Sequence, residues 1–168
     1  VITRNEHLNR FMRDFAQVVK LPDPAPTEVN LTEVLAQIGT MYQVQFGERD
    51  IQWRTDIAAD VPLVLADRSQ IEQVLINIVN NAMEAIGTEG VIEARLQYQN
   101  DAVTLEVLDN GEGLSDKSQG ELFTPFYSSK SSGQGLGLTL VKEILIRHGL
   151  EFDLHTRNNG RTCFYIRF

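Results

Sequence analysis

Residues 70–86 carry an apolar pattern that only a largely buried helix can satisfy. On a wheel of about 100° per residue, Ile71, Val74, Leu75, Ile76, Ile78, Val79, Ala82, Met83 and Ile86 fill a sector of roughly 200°. Such a helix needs a core around most of its circumference, and Asp67 with Gln70 supplies a capping box that fixes its start. The remaining sector, about 100° wide, holds Gln70, Gln73, Asn77, Asn80, Asn81 and Glu84 without a single Lys or Arg. Solvated helix faces usually mix charges, whereas this one is mostly amides. Asn77 and Asn81 stand one turn apart, so their side-chain oxygens can converge on one point. A hard cation such as Mg²⁺ takes oxygen ligands of that kind and shares them with phosphates. An ordinary polar face accounts more readily for the same residues when the helix is taken alone.

The length of 168 residues with 42% hydrophobic content allows one substantial core. Fifteen Lys and Arg stand against 23 acids, a net charge of −8, which argues against a nucleic-acid surface. Any polyanion must be handled locally. The single cysteine, Cys163, has no internal disulfide partner, which fits a reducing cytosol. No apolar run approaches the ~20 residues of a spanning helix, so no membrane segment is expected in this chain. Beginning at Val1, the chain reads as a fragment.

Residues 1–20 place Leu8, Phe11, Met12, Phe15, Val18 and Val19 at helical spacing among charged residues, an amphipathic helix in need of a partner. The prolines of Leu21–Pro26 end it. The organisation expected is a helical segment over 1–21, a linker over 22–29 and one domain over 30–168. Asn30 or Thr32 can cap a helix over about 31–46. Strands are expected at 51–55, 63–66, 91–97 and 103–108, the last two joined across Asn100-Asp101. A helix over 136–148 and a terminal hairpin, 151–156 with 162–168 across Asn158-Asn159-Gly160, complete the chain.

The strand at 103–108 delivers Asp109 to its end, and Gly111 and Gly113 follow at once, letting backbone turn sharply beside a ligand. An ionised carboxylate only accepts hydrogen bonds, so it can read the exocyclic amine of a purine. A plain hairpin turn explains the same residues equally well. Residues 110–134 then form a stretch of low periodicity whose length suits a lid, with Leu122, Phe123, Phe126 and Tyr127 as apolar anchors or local core. Gly133, Gly135 and Gly137 open the next helix, presenting free N–H groups and a positive helix end to a polyphosphate. Lys130 is the nearby cation, unless it is simply solvated. A Rossmann turn is disfavoured because the glycines do not follow directly on a strand.

Asn77-Ile78-Val79-Asn80-Asn81-Ala82, Asp109-Asn110-Gly111-Glu112-Gly113, Leu122-Phe123-Thr124-Pro125-Phe126 and Gly133-Gln134-Gly135-Leu136-Gly137-Leu138 occur in that order. They resemble the N, G1, F and G2 boxes of the catalytic ATP-binding domain of sensor histidine kinases, in the superfamily that includes gyrase, Hsp90-type chaperones and MutL-type repair proteins. Gln73 to Asn77 and Phe126 to Lys130, with the passage from Phe11 to Pro26, are similar to nitrogen-regulation-type sensor kinases, so the resemblance covers nearly the whole chain. It implies an α+β fold, a two-layer α/β sandwich of the Bergerat type with a mixed sheet covered by helices on one face, plus the N-terminal helix.

The resemblance further implies that Asn77 and Asn81 serve Mg²⁺ and phosphates and Asp109 adenine. Gly111, Gly113, Gly133, Gly135 and Gly137, with Leu136 and Lys130, would line the nucleotide and its lid, and Thr162 would lie near adenine. The implied function is to position Mg-ATP for phosphoryl transfer to a histidine upstream of Val1, with ATP and ADP as ligands. The implied partners are a histidine-bearing hairpin, a response-regulator receiver domain and a second copy in a homodimer. The implied location is cytoplasmic, including the cytoplasmic part of a membrane-anchored sensor. This chain departs from the pattern where Glu84 stands in place of a common Lys or Arg, where Arg161 replaces a common glycine, and where Leu8 follows His7 in place of an acid. His148 and His155 read as structural. The competing reading is a nucleotide-gated ATPase module of the chaperone or repair type. Such modules resemble a glutamate base where Asn77 stands, which argues against fast hydrolysis.

Overall fold

The computed structural model describes residues 8–9, 12–13, 15–16, 18–114, 121–123 and 136–168. Its elements run β1 (Thr27–Val29), α1 (Leu31–Glu48), β2 (Ile51–Ile57), β3 (Val64–Ala66), α2 (Arg68–Ile86), β4 (Gly90–Gln99), β5 (Ala102–Asp109), α3 (Gly137–Arg147), β6 (Glu151–Thr156) and β7 (Thr162–Arg167). The described residues between 8 and 19 are also helical, and Leu8, Met12, Phe15 and Val19 are exposed there.

Five strands form a mixed sheet in the order β2-β4-β5-β7-β6, with β2 parallel to β4 and every other pair antiparallel. The register puts Ile92, Ala94 and Leu96 opposite Asp109, Val107 and Leu105, and those opposite Thr162, Phe164 and Ile166. Side chains alternate between faces along a strand, so these residues share one face. All of them are buried. Helix α1 packs on β2, α2 on β4 and β5, and α3 on α2 and β6, giving the expected two layers. The other face carries Arg54, Glu93, Arg95, Glu106 and Arg167, joined in part by ion pairs.

Local sequence explains the joints. Asn100 and Asp101 both have positive φ, 51° and 57°, the two-residue hairpin geometry that suits the sheet's twist. Asn30, rather than Thr32, caps α1 by accepting from the backbone of Thr32 and Glu33. The capping box of α2 is only half made. Asp67 accepts from the Gln70 N–H, but the Gln70 side chain donates to the Pro22 carbonyl, and the Asp67 N–H goes to Nε2 of His148.

The structure differs from the sequence expectation at residues 27–29. They fall in the segment expected as linker, yet form β1, antiparallel to β3, with Val29 and its cross-strand partner Val64 both in the core. Three residues carry no visible alternation, so only the pairing reveals the strand.

Candidate functional site

Helix α2 organises the site through one stripe. Asn77, Asn81 and Ala85 follow at intervals of four, so they lie on one face, one turn after another. Two glycines close on the ends of that stripe. A Cβ added to Gly137 would sit 3.0 Å from Oδ1 of Asn77, and one added to Gly111 would sit 2.5 Å from the Ala85 carbonyl carbon. At Gly111 a side chain would collide with backbone and push the loop off the helix, whereas at Gly137 it would crowd the Asn77 side chain, which must give by a few tenths of an ångström. The Glu112 N–H then donates to the Ala85 carbonyl, fastening the loop after β5 to the last turns of α2.

Asn77 is oriented by its own helix. Its Nδ2 donates to the Gln73 carbonyl at 2.8 Å, while its Oδ1 faces the first residue of α3. Helix α3 starts there without a side-chain cap: Leu136 at the N-cap is buried and makes no capping hydrogen bond. The start of α3 is thus held by the apolar Leu136 anchor and by close packing against Asn77.

The strands deliver the second part. Asp109 and Thr162 are direct cross-strand partners at the ends of β5 and β7, on the helix-covered face, 6% and 8% exposed. They are two of only three buried polar or charged side chains among the described residues, the third being Gln70. Oδ1 of Asp109 accepts from the Gly111 N–H at 2.9 Å, which folds the loop back toward α2. Arg161, next to Thr162, occupies the opposite face and donates to Glu93 at 2.7 Å. Its replacement of a common glycine therefore leaves Thr162 beside Asp109.

The amide sector of α2 divides among three tasks. Asn77 and Asn81 belong to the stripe. Asn80 instead accepts from the Tyr42 hydroxyl at 2.8 Å, tying α2 to α1, and burial pushes the Tyr42 pKa up against the opposing effect of that bond. Gln70 faces the linker. Glu84 is exposed.

Gly113 has φ of 78°, and the following Leu114 N–H donates to Oγ1 of Thr156, the cross-strand partner of Thr162. Thr156 and Asn110, whose Oδ1 accepts from the Val91 N–H, were not assigned roles from sequence. Neither carries a local signal, since each acts on a residue at least 19 positions away. Phe123 packs edge-on against Phe152 and Phe164, and Leu122 is buried, so the apolar anchors at 122 and 123 are core. Lys130, Gly133, Gly135, Phe126 and Tyr127 lie outside the described residues, as does His7.

His148 and His155 bond to neighbours of their own elements and to Asp67, as structural residues do. Burial, with the charge of Glu106, raises the Cys163 thiol to about 11, so it is not an activated nucleophile. Among the described residues, no group of three or more His, Cys, Asp or Glu could hold a metal ion, and no helix is long and apolar enough to cross a membrane.

Residues 66–168 match the family described as histidine kinase-, DNA gyrase B-, and HSP90-like ATPase. The C4-dicarboxylate transport sensor protein DctS of Rhodobacter capsulatus is 35% identical over 94% of this chain and 24% of its own length. Nitrogen regulation protein NtrY of Azorhizobium caulinodans is 26% identical over 96% of this chain and 21% of its own length. The chain thus spans about a quarter of these relatives. Among solved structures, the catalytic domain of histidine kinase ThkA aligns with a TM-score of 0.78 and 29% identity, covering 85% of this chain and 94% of that one. The structure of ThkA in complex with response regulator protein TrrA aligns at 0.83 and 26%, over 99% of this chain and 49% of that one. A family match over more than half the chain, the mixed sheet under three helices, and the paired glycine approaches to α2 lead to one assignment: the chain belongs to the histidine kinase-, DNA gyrase B-, and HSP90-like ATPase family and has the fold of a sensor histidine kinase catalytic domain.

Proposed function

We propose that this chain binds Mg-ATP along the Asn77–Asn81–Ala85 stripe and presents the γ-phosphate to a histidine on a helical hairpin. The observation that carries this reading is the pair of glycine approaches, which leave backbone at both ends of an amide stripe where a Cβ would fill the space. Asn77 and Asn81 supply neutral oxygens, a donor set that suits a divalent cation already sharing phosphate oxygens. When bound, the cation neutralises phosphate charge. Asp109, with Thr162 beside it, accepts from the adenine amine and disfavours guanine, which presents a carbonyl there. The glycines at 133, 135 and 137, with Lys130, meet the phosphates.

Phosphoryl transfer rests on positioning and charge neutralisation, so no protein base is needed at Asn77. An amide there also disfavours the chaperone-type reading, in which water is activated for hydrolysis. The histidine-bearing hairpin is the substrate, a response-regulator receiver domain the downstream partner, and a homodimer the working assembly. Residues 1–21 belong to the end of the hairpin and 22–26, ahead of β1, to the linker, in the cytoplasm. The complex of ThkA with TrrA supports the regulator assignment by similarity. Incubation with labelled ATP and a separate histidine-bearing hairpin should give acid-labile phosphate on the hairpin. Phosphate release at the same rate with or without the hairpin would favour the hydrolytic reading.

A further inference from the structure

The segment between the N-terminal helix and β1 is bonded to the far ends of the two helices that frame the site. Arg147, the last residue of α3, donates to the Leu21 carbonyl at 2.9 Å and lies 3.5 Å from the Asp23 carboxylate. Nε2 of Gln70, in the first turn of α2, donates to the Pro22 carbonyl at 3.0 Å. Oδ2 of Asp67, the α2 cap, accepts from the Ala25 N–H at 3.0 Å. Beneath them, His148 accepts the Asp67 N–H through Nε2, while its Nδ1 bonds the Ile144 carbonyl. Val18 and Leu21 pack against the core just before these contacts.

This arrangement exceeds what a tether needs. Pro22 and Pro24 have no N–H and hold φ near a fixed value, so the segment is stiff before it docks. Three side chains then meet three backbone groups within five residues of it, the Leu21 and Pro22 carbonyls and the Ala25 N–H, which fixes the direction in which the preceding helix leaves. Gln70 is 5% exposed, and its side-chain amide donates to the linker. Among the described residues, its Oε1 is buried without a hydrogen-bond partner. A glutamine serving only the domain's own stability is poorly explained there, because an apolar residue of that size leaves no orphan acceptor.

We infer that Gln70, Arg147 and Asp67 form a clasp that sets the orientation of the N-terminal helix relative to the nucleotide site, making Gln70 and Arg147 positioning residues. The clasp and the site occupy opposite ends of the same helix pair: Gly137 meets Asn77, and ten residues on Arg147 meets Leu21. The consequence for phosphoryl transfer rests on the proposed function; the clasp itself does not.

The test uses this chain with spin labels at Met12→Cys and Val44→Cys, both exposed, while the buried Cys163 stays unlabelled. Distances between the labels should be narrow in the parent and at least twofold broader in Gln70→Leu/Arg147→Ala, with Arg147→Lys restoring most of the narrow distribution. Gln70→Leu removes the orphan acceptor, so thermal unfolding should show an intact fold. An unchanged distribution in the folded double variant, or a parent as broad as the variant, would overturn the clasp. Calorimetry with Mg-ATP separates the two readings. Affinity within twofold of the parent supports a role confined to orientation, and a selective tenfold loss in the variant would place these residues in the pocket instead. If neither protein binds Mg-ATP, the proposed function fails while the distances still decide the clasp.

Discussion

The two ends of helix α2 are finished in opposite ways. At its start, Asp67 takes three donors, Ala25, Ser69 and Gln70, its own N–H reaches His148, and Gln70 reaches Pro22. From Asn77 onward, the helix meets its neighbours through glycines, at Gly137 and Gly111, and through amides. Side-chain bonds to distant backbone hold one end in a single geometry. At the other, backbone and amides approach closely. In the proposed function, one helix thus serves as a fixed mount at its first turn and as a binding surface three turns later. Mutations at the two ends should consequently separate stability from binding.

The largest effect is expected at Gly111→Ala. The added Cβ falls 2.5–2.8 Å from the backbone and Cβ of Ala85, which must shift. Overpacking of this kind costs ~1–3 kcal/mol, and nucleotide affinity should fall with it. Gly113→Ala is the control: its Cβ meets nothing closer than 3.9 Å, and only its φ of 78° opposes alanine, so the loss should be smaller. Equal losses would mean that the approach to Ala85 is not what holds the loop. Chemical denaturation and calorimetry on both variants read this.

Asp67→Ala tests the mounted end. Losing a cap typically costs ~1 kcal/mol, and here the Ala25 bond goes too, while Mg-ATP affinity should stay within about twofold. A large loss of affinity would erase the contrast between the two ends. Tyr42→Phe removes the hydroxyl that fixes Asn80, a neutral hydrogen bond worth ~1 kcal/mol. Stability should drop by about that much with binding intact, showing that the third asparagine serves packing.

The smallest effect is with pH. Burial raises the Asp67 carboxyl, but hydrogen bonds from Ala25, Ser69 and Gln70 outweigh it and hold the group below its ordinary value of 3.8. The folded state binds the proton less readily than the unfolded chain. Its stabilisation is therefore complete above 3.8 and is lost as pH falls through the lower folded value. Asp67→Asn keeps a good cap, so its melting temperature should fall less steeply in that acid window. Identical slopes would remove the carboxylate from the acid response.

Much of this was legible beforehand for a physical reason: periodic burial and backbone punctuation are local. The buried sector of α2, the turn at Asn100-Asp101 and the strand ends at Asp109 and Thr162 all follow from neighbouring residues. The illegible features are long-range. Asn77, Asn80 and Gln70 look alike on a wheel, and only Gly137, Tyr42 and Pro22, each far off in sequence, separate their tasks. Arg161 reads as an oddity beside Thr162 until Glu93, 68 residues away, accounts for it. Strand β1 was hidden because a three-residue strand among prolines has too little pattern to show.

In the proposed function, the Asn77–Asn81–Ala85 stripe and the Asp109–Thr162 pair form one Mg-dependent adenine-nucleotide site. Calorimetric titration of the parent, Asn81→Ala and Asp109→Asn with ATP and GTP, with and without Mg²⁺, tests it most directly. ATP should bind in an Mg-dependent way, with GTP much weaker. Asn81→Ala should lose the Mg dependence, and Asp109→Asn should bind ATP at least about tenfold more weakly, the scale of a hydrogen bond to a charged group. Equal affinity for GTP, or parental Mg-ATP binding in both variants, would contradict it.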